Sequence, residues 1–288
     1  MLRTGDSLML HSLPIDLVSA VCAYALEGEP ADLFTAAVAD GDEWAARWLA
    51  REYAIGTRAD IGRAFRAACE GGHLTVTMWM VSAFGLTAAD VRAYDNNALR
   101  RACTNRQLRV AQWLALTFGM EAADVRANNN AALCAACAGG HLEMVQWILA
   151  SFGLSSADAR AHDNYALRRA CENGHLKVAQ SIVAAFGLTA ADARAVENYA
   201  LHEACGNGHL STAQWLTATF GLTAADARAG DNYALRRACA DGHLEVAQWL
   251  MREFGLSKAD VNARDRSALR RAFANKRMRV ARWLLEFD

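Results

Sequence analysis

Residues 163–180, DNYALRRACENGHLKVAQ, decide the fold, because most of the chain consists of variants of this stretch. One leucine or methionine of each variant recurs at a constant interval of 34 residues. The positions are Leu74, Leu108, Leu142, Leu176, Leu210, Leu244 and Met278. A fixed period of this size is the signature of a repeat protein, in which each repeat covers the hydrophobic face of its neighbour. The sequence therefore predicts stacked copies of one helical element.

Composition bounds the class of protein. The chain has 288 residues and 53% of them are hydrophobic, so it can bury a core. Its net charge of −1 gives no general reason to expect nucleic acid or an acidic membrane as partner. The charge is uneven along the chain, however. The first 60 residues carry ten carboxylates against four arginines. The last repeat carries Arg266, Arg270, Arg271, Lys276, Arg277, Arg279 and Arg282 against two carboxylates.

Six of the 8 cysteines recur at the repeat interval. They are Cys69, Cys103, Cys137, Cys171, Cys205 and Cys239. Equivalent positions of packed helices lie about 8–10 Å apart, whereas a disulfide needs Cα atoms within about 7 Å. We therefore expect buried, reduced thiols and a reducing compartment. The apolar run Leu17–Leu26 lacks a basic lead and is too short to cross a bilayer.

Each repeat is predicted to contain two short helices. In the quoted stretch, Leu167, Ala170 and Cys171 form the buried stripe of the first helix, with an N-cap at Asp163 or Asn164. The second helix is expected from about Leu176 to Ala185. Gly187 ends it and Leu188 supplies the accompanying hydrophobic contact.

The connector between repeats has the pattern of a capping box. Ser or Thr is followed three residues later by Asp, as in Ser155 with Asp158 and Thr189 with Asp192. Alanines follow, and neither Gly nor Pro interrupts them. We therefore predict a short third helical turn here instead of a β-hairpin.

The run Ala166–Cys171, followed by Gly174-His175-Leu176 and then Val178-Ala179, resembles an ankyrin repeat. Ala259–Asp265 matches the loop pattern of that family, and the form Asp-Asn-Tyr-Ala-Leu-Arg-Arg is closest to ankyrin arrays encoded by large DNA viruses of amoebae. The resemblance implies an all-α ankyrin-type helical solenoid over residues 31–288, with about eight stacked helix pairs. Ala166 departs from the family pattern, which has Pro there.

Residues 1–30 stand outside the repeat and are predicted to form a helical cap, with a helix that starts near Pro14 and ends near Gly28. Leu13-Pro14-Ile15-Asp16-Leu17 resembles the opening of an F-box, the motif that docks on a ubiquitin-ligase core. That resemblance implies an alternative function as a substrate adaptor of a ubiquitin ligase.

Catalysis and metal binding are not expected. The recurring histidines, such as His141 and His175, lie one repeat apart, and zinc ligands must converge within about 2.3 Å of the ion. An imidazole bonded to backbone at the turn between helices fits them better. A Cys and a His recur at the same spacing in most repeats. This recurrence indicates a structural role, since an enzyme needs only one active site. We expect no enzyme, cofactor or metal.

A tryptophan recurs on the second helix, as in Trp79 and Trp147, and Ser181 replaces it in one repeat. One interpretation of the tryptophans is a stacking platform for bases. Packing of each ring between adjacent repeats is the interpretation we favour. Nucleic-acid binding through the basic last repeat is a further alternative, which we rank below protein binding.

Two positions vary within the constant frame of the repeat, and the ankyrin resemblance places both on the concave face. The predicted partner-binding residues are Tyr94, Arg101, His162, Arg169, Glu203, Arg237, Arg264 and Arg271. The arginines would suit an acidic patch. We therefore expect a monomeric, non-catalytic scaffold in the cytoplasm, or in the host cytoplasm if viral, that binds a protein partner.

Overall fold

The computed structural model describes residues 29–53, 55 and 57–286, which form helices and no strands. The helices within these ranges are α1 (Pro30–Asp40), α2 (Glu43–Glu52), α3 (Arg58–Gly71), α4 (Leu74–Phe84), α5 (Ala88–Val91), α6 (Ala93–Thr104), α7 (Leu108–Phe118), α8 (Ala122–Ala138), α9 (Leu142–Ser151), α10 (Ser156–Glu172), α11 (Leu176–Phe186), α12 (Ala190–Ala193), α13 (Ala195–Gly206), α14 (Leu210–Phe220), α15 (Ala224–Asp241), α16 (Leu244–Glu253), α17 (Lys258–Val261), α18 (Ala263–Ala274) and α19 (Met278–Leu285). The cap helix predicted from Pro14 lies outside the described residues.

The chain divides into two compact units, Met1–Gly119 and Met120–Asp288. In the N-terminal unit the pairs α1/α2, α3/α4 and α6/α7 form three repeats, and the first helices stack on each other, α1 on α3 and α3 on α6. In the C-terminal unit the pairs are α8/α9, α10/α11, α13/α14, α15/α16 and α18/α19. Their first helices stack in the same order. The predicted all-α repeat architecture is confirmed.

The stripe predicted from the 3.6-residue period forms the core. Leu167, Ala170 and Cys171 on α10 are fully buried, and so are Ala179 and Ile182 on α11. The six cysteines that recur at the repeat interval are buried, as predicted, and none of them is joined to another described cysteine by a disulfide. Burial raises the pKa of the Cys103 thiol to about 12, so this group is a neutral thiol at physiological pH.

The second helix ends as the sequence predicts. Gly187 adopts the left-handed conformation, with φ 58°, directly after α11. The N–H of Leu188 then donates to the carbonyl of Val183 at 3.2 Å, and the Leu188 side chain is buried. A glycine C-cap with a buried hydrophobic residue after it terminates the helix and directs the chain into the connector.

The connector forms the predicted short helix. Capping boxes start α5, α12 and α17, and they also start the first turn of the longer helices α8, α10 and α15. At Ser155, the backbone N–H and the hydroxyl both donate to the Asp158 carboxylate, at 2.7 and 2.9 Å. These bonds satisfy donors that the start of a helix otherwise leaves free.

The same aspartates join one repeat to the next. An arginine of the preceding repeat donates two parallel hydrogen bonds to each carboxylate, at 2.8 and 3.0 Å between Arg160 and Asp192. We call this series the inter-repeat ladder. Its members within the two units are Arg58–Asp90, Arg126–Asp158, Arg160–Asp192, Arg194–Asp226 and Arg228–Asp260. Hydrogen bonds from Arg160, with those from Thr189, lower the pKa of Asp192 to about 2.

A left-handed turn separates the connector from the first helix. Three successive residues have positive φ in each of six repeats, for example His162, Asp163 and Asn164, at 52°, 57° and 59°. The predicted N-cap at Asp163 or Asn164 is therefore wrong. An N-cap residue has extended backbone, whereas both of these residues are left-handed.

The third residue of the turn holds it against the neighbouring repeat. It is Asn in five repeats, and these side chains are nine-tenths buried or more. The Asn130 amide Nδ2 donates to the carbonyl of Asp158 in the next repeat at 3.2 Å. Asn tolerates the left-handed region better than most residues, so one side chain serves both the conformation and the stacking.

We expect Val196→Asn to stabilise the chain by about 1 kcal/mol, because a β-branched residue is strained at φ 53° and its side chain is 47% exposed. Asn128 occupies the equivalent position with φ 49°. The matched control Asn128→Val should therefore lose a similar amount. Urea unfolding measures both, and equal unfolding free energies for wild type and the two variants would contradict the assignment.

The inter-repeat ladder should contribute less to stability at low pH, because its aspartates become protonated. The pKa of Asp192 is lower in the folded chain than the usual value of about 3.9, so its contribution is complete above pH 4 and is lost as pH falls toward 2. In a double-mutant cycle, Arg160→Met and Asp192→Asn should couple at pH 7 and much more weakly at pH 2, where about half of the Asp192 carboxyl groups are protonated. The exposed pair Arg101–Glu70 is the control and should couple at most about half as strongly.

Candidate interaction surface

The predicted partner-binding residues lie in two places of the repeat. Tyr94, His162 and Arg264 are the first residues of left-handed turns, and all three are exposed. Arg101, Arg169, Glu203, Arg237 and Arg271 lie on the first helices α6, α10, α13, α15 and α18. We call this second set the first-helix row. Each of these five residues lies on the first helix of its own repeat, so the row contributes one variable side chain from each of five repeats.

In the N-terminal unit, both predicted residues contact the preceding repeat. Tyr94 is 67% exposed, and the guanidinium of Arg66 lies 4.6 Å from its ring centroid. Arg101 forms an ion pair with Glu70 on α3, and its Nε donates to Asn97 Oδ1 at 2.7 Å. Tyr94 thus offers a large apolar surface, while the charge of Arg101 is partly neutralised.

In the C-terminal unit, carboxylates accompany most arginines of the row. Arg169 pairs with Glu172 at 2.8 Å, and Arg237 lies 3.8 Å from Glu203 and 3.2 Å from Asp241. Arg271 has no carboxylate partner among the residues that the structure describes. The row is therefore a series of ion pairs within the chain, and it ends in a cation that is open to a partner.

Glu203 breaks the arginine row and is the buried member of it. It is 8% exposed, and burial raises the pKa of its carboxyl group against the opposing effect of Arg237. Burial and the charge of Glu203 also raise the pKa of the Tyr199 hydroxyl, one turn earlier on α13. This part of the row is less solvated than the rest, so a polar contact made here would be stronger.

Three tyrosines that sequence reasoning missed run beside the row. Tyr165, Tyr199 and Tyr233 stand at equivalent positions of consecutive repeats. The Arg168 guanidinium lies between two of them, 5.5 Å from the ring centroid of Tyr165 and 4.8 Å from that of Tyr199. The ring of His202 lies 5.3 Å from that of Tyr233. The signal in the sequence was the recurrence of Tyr at the repeat interval.

Arg168 also holds the left-handed turn. Its Nε donates to the carbonyl of Asp163 at 2.9 Å and its Nη2 donates to that of His162 at 3.0 Å. Arg100 and Arg236 make the same two bonds in their repeats. The Arg168 side chain therefore turns back onto the backbone of its own repeat instead of pointing outward. Of these two neighbours, only Arg169 is available as a variable surface residue.

The histidines at the turns bond to backbone, as predicted. Nε2 of His73 lies 2.8 Å from the carbonyl oxygen of Ala39, and Nε2 of His175 lies 3.0 Å from that of Ala138. Each of these bonds reaches into the preceding repeat. Within the described ranges, no three His, Cys, Asp or Glu side chains come together as metal ligands would.

Five tryptophans of the second helices pack edge-on against a phenylalanine five residues later, as in Trp147 and Phe152 with ring centroids 5.3 Å apart. Trp79 also reaches Phe34 of the preceding repeat, at 6.4 Å. Packing between repeats is therefore confirmed for Trp79. In α11 the equivalent residue is Ser181, and the phenylalanine five residues later, Phe186, is buried.

Family models of ankyrin repeats match the chain over more than half of its length. The model for three copies matches residues 201–288, and the model for many copies matches residues 133–183 and 167–217. The chain therefore belongs to the ankyrin repeat family. Proteins built from such repeats are generally non-catalytic scaffolds for protein–protein interaction. Neither family description refers to viruses or to an F-box.

Among solved structures, the crystal structure of the pentatricopeptide repeat protein PPR10 from maize matches with 16% sequence identity and a TM-score of 0.34. The match covers 97% of this chain and 47% of that chain, so this chain spans about half the length of that protein. No curated protein matches the chain.

Arg168→Gln should destabilise the chain by about 2 kcal/mol, because two charge-assisted bonds to carbonyls and the contacts with two tyrosines are lost. Arg270→Gln is the matched control. Arg270 stands at the equivalent position of the last repeat, where it makes one carbonyl bond at 3.4 Å. Its loss in urea unfolding should be less than half as large, and equal losses would contradict the role given to Arg168.

Proposed function

We propose that the protein is a non-catalytic scaffold that binds a protein partner through the concave face of its ankyrin repeats. The first-helix row carries the proposal. Its side chain changes from repeat to repeat, from Arg169 to Glu203 to Arg237, on a frame whose core positions stay the same. A single chain presents the whole row, so this binding requires no second copy.

The neighbouring tyrosines support the same surface. Tyrosine and arginine are enriched among the residues that dominate the energy of protein interfaces. Tyr165 is 40% exposed, and contact with Arg168 restrains its ring before any partner arrives. A restrained aromatic side chain loses little entropy on binding.

The partner that this surface suits is an acidic protein surface. Arg271 has no carboxylate partner among the described residues, while Arg169 and Arg237 could exchange the carboxylates of the chain for those of a partner. We place this activity in a reducing compartment, the cytoplasm, because buried cysteines that form no disulfide are typical of proteins there. No helix in the described ranges combines the length and the apolar character needed to span a membrane.

The alternative function, a substrate adaptor of a ubiquitin ligase, depends on residues 13–17, which lie outside the described residues. The family matches begin at residue 133 and do not reach them. Viral origin likewise depends on the sequence resemblance alone. Binding through the repeats is therefore the function that we put first.

Replacing Arg101, Arg169, Arg237 and Arg271 by alanine should weaken binding to a partner purified with the wild-type protein at least about tenfold, since about 1.4 kcal/mol is lost. Lys177→Ala with Arg252→Ala is the control, because both cations are exposed on second helices. Calorimetric titration measures the affinities. Unchanged affinity in the fourfold variant would rule out the first-helix row as the binding surface.

A further inference from the structure

The repeat of α13 lacks the arginine that holds the left-handed turn in its neighbours. At the position of Arg168 this repeat carries His202. Its turn, residues 196–198, nevertheless has positive φ angles of 53°, 53° and 64°. Among the described residues, no side chain donates a hydrogen bond to the carbonyl of Val196 or of Glu197. The two carbonyls that accept from an arginine in the neighbouring repeats are therefore open to a donor from outside the chain.

The side chains of this turn make it less favourable than the turn of α8, which also lacks the arginine. In α8 the equivalent position holds Cys134, and the turn consists of three asparagines, residues 128–130. Asparagine enters the left-handed region more readily than the β-branched Val196 or the longer Glu197. Backbone strain of this kind is concentrated where ligands bind. The turn of α13 is therefore the one that gains most from a contact supplied by a partner.

Tyrosines stand where they would flank a guanidinium in this repeat. The Arg168 guanidinium lies 5.5 Å from the ring centroid of Tyr165 and 4.8 Å from that of Tyr199. Tyr199 and Tyr233 occupy the corresponding positions one repeat further on. The ring of His202 lies 5.3 Å from that of Tyr233, but an imidazole is shorter than an arginine side chain. The guanidinium that binds the turn in other repeats has no counterpart here.

His202 itself is not satisfied by the fold. It is 5% exposed, and its Nε2 has no hydrogen-bond partner among the described residues. Burial and the charge of Arg236 lower the pKa of the imidazole to about 4, so the ring is neutral at physiological pH. Arg236 donates to the carbonyls of its own turn. A buried polar atom without a partner is costly, so the contacts of this place are incomplete within the chain.

The next repeat leaves this place without a covering side chain at one position. Gly230 stands where other repeats carry Tyr94, His162 or Arg264. A Cβ built on Gly230 would lie 3.8 Å from Cε1 of His202. A larger residue would therefore extend its side chain beside the imidazole. The glycine occurs at the turn that follows the repeat without an arginine, so the missing guanidinium and the missing side chain are neighbours.

A carboxylate that is incompletely neutralised lies next to His202. Glu203 is 3.8 Å from Arg237, and that arginine is closer to Asp241, at 3.2 Å. Burial raises the pKa of the Glu203 carboxyl group, and the charges of Glu172 and Asp241 add to that effect. Its ionised form is therefore short of positive charge. A cation supplied from outside would be attracted to this part of the first-helix row.

We propose that this place binds an arginine side chain of the protein partner. The guanidinium donates to the two open carbonyls of the turn and lies beside the tyrosine rings, as Arg168 does within the chain. A lysine cannot do the same, since its ammonium lacks the planar fork that makes two parallel bonds. We call the site the α13 recess, which consists of the carbonyls of Val196 and Glu197 and the side chains of Tyr199, His202, Glu203 and Tyr233.

This inference rests on the proposed function and specifies the partner further. The partner surface is acidic opposite the arginines of the first-helix row and carries one arginine opposite Glu203. The order of charges along the row, Arg169, Glu203 and Arg237, then has its complement on the partner.

His202→Arg tests the α13 recess, because the new side chain of the protein itself would bind the two carbonyls. Urea unfolding should show a more stable chain, since the turn gains charge-assisted hydrogen bonds. In calorimetric titration, affinity for a partner purified with the wild-type protein should fall at least about tenfold. Cys134→Arg is the matched control. It places an arginine at the equivalent position of α8, outside the recess, and should leave the affinity unchanged.

A small probe tests the recess without the partner. N-acetyl-arginine methylamide, titrated at millimolar concentrations into the full chain, should shift the NMR signals of the backbone amides of residues 196–198 and of the Tyr199 and Tyr233 rings in a saturable manner. The citrulline analogue has nearly the same shape and no charge, so it should bind at least about tenfold more weakly. His202→Arg should abolish the shifts.

The two tests separate the recess from the first-helix row. If His202→Arg keeps its affinity while the fourfold alanine variant of the row loses it, the row binds the partner and the recess is overturned. An equal loss of affinity in Cys134→Arg also overturns the recess, because the effect is then not local. Equal binding of the arginine and citrulline probes overturns the assignment of a guanidinium.

Discussion

The bidentate pair between an arginine of one repeat and an aspartate of the next fixes how the repeats stack. A pair of short helices cannot bury both of its faces alone, so its stability depends on the position of its neighbour. At Asp192 one carboxylate caps its own short helix through Thr189 and accepts two bonds from Arg160 of the preceding repeat. The same carboxylate caps the connector helix and accepts hydrogen bonds from the preceding repeat. Formation of the connector helix and alignment of the repeats therefore depend on each other.

The left-handed turn follows from that alignment. Three successive residues in the left-handed region are unfavourable for most side chains, and they persist only when surrounding contacts hold them. Here an arginine such as Arg168 binds two carbonyls of the turn, and an asparagine such as Asn130 binds the backbone of the next repeat. The turn changes the direction of the backbone between the connector and the first helix. Residues at its start, including Tyr94 and Arg264, are consequently held outward.

Local signals made the helices predictable. The buried stripe at Leu167 and Cys171, the glycine after α11 and the capping box at Ser155 each act within a few residues, so their pattern can be read directly. The turn at His162–Asn164 could not be predicted, because Asp and Asn before a helix are equally typical of an N-cap, and only contacts from other repeats distinguish the two. The ladder partners stand 32 residues apart, and stacking alone brings them together. For the candidate site, the sequence supplied the variable positions but not their ion pairs.

Adjacent residues on the first helix have different roles, so the exposed side chains can change from repeat to repeat while the fold stays the same. Arg168 donates to two carbonyls of its turn and contacts two tyrosines, whereas Arg169, one residue later on the same helix, pairs with Glu172 and lies 5.9 Å from the ring centroid of Tyr165. At the equivalent pair His202–Glu203 both residues have changed. Burial lowers the pKa of His202 to about 4, so its ring is neutral at physiological pH and packs against Tyr233. The repeat still stacks, because Arg194 and Asp226 join it to the next one. Because the inter-repeat ladder aligns the repeats, the residues of the first-helix row can differ from repeat to repeat without loss of stacking. A specific binding surface of the kind proposed requires such variation.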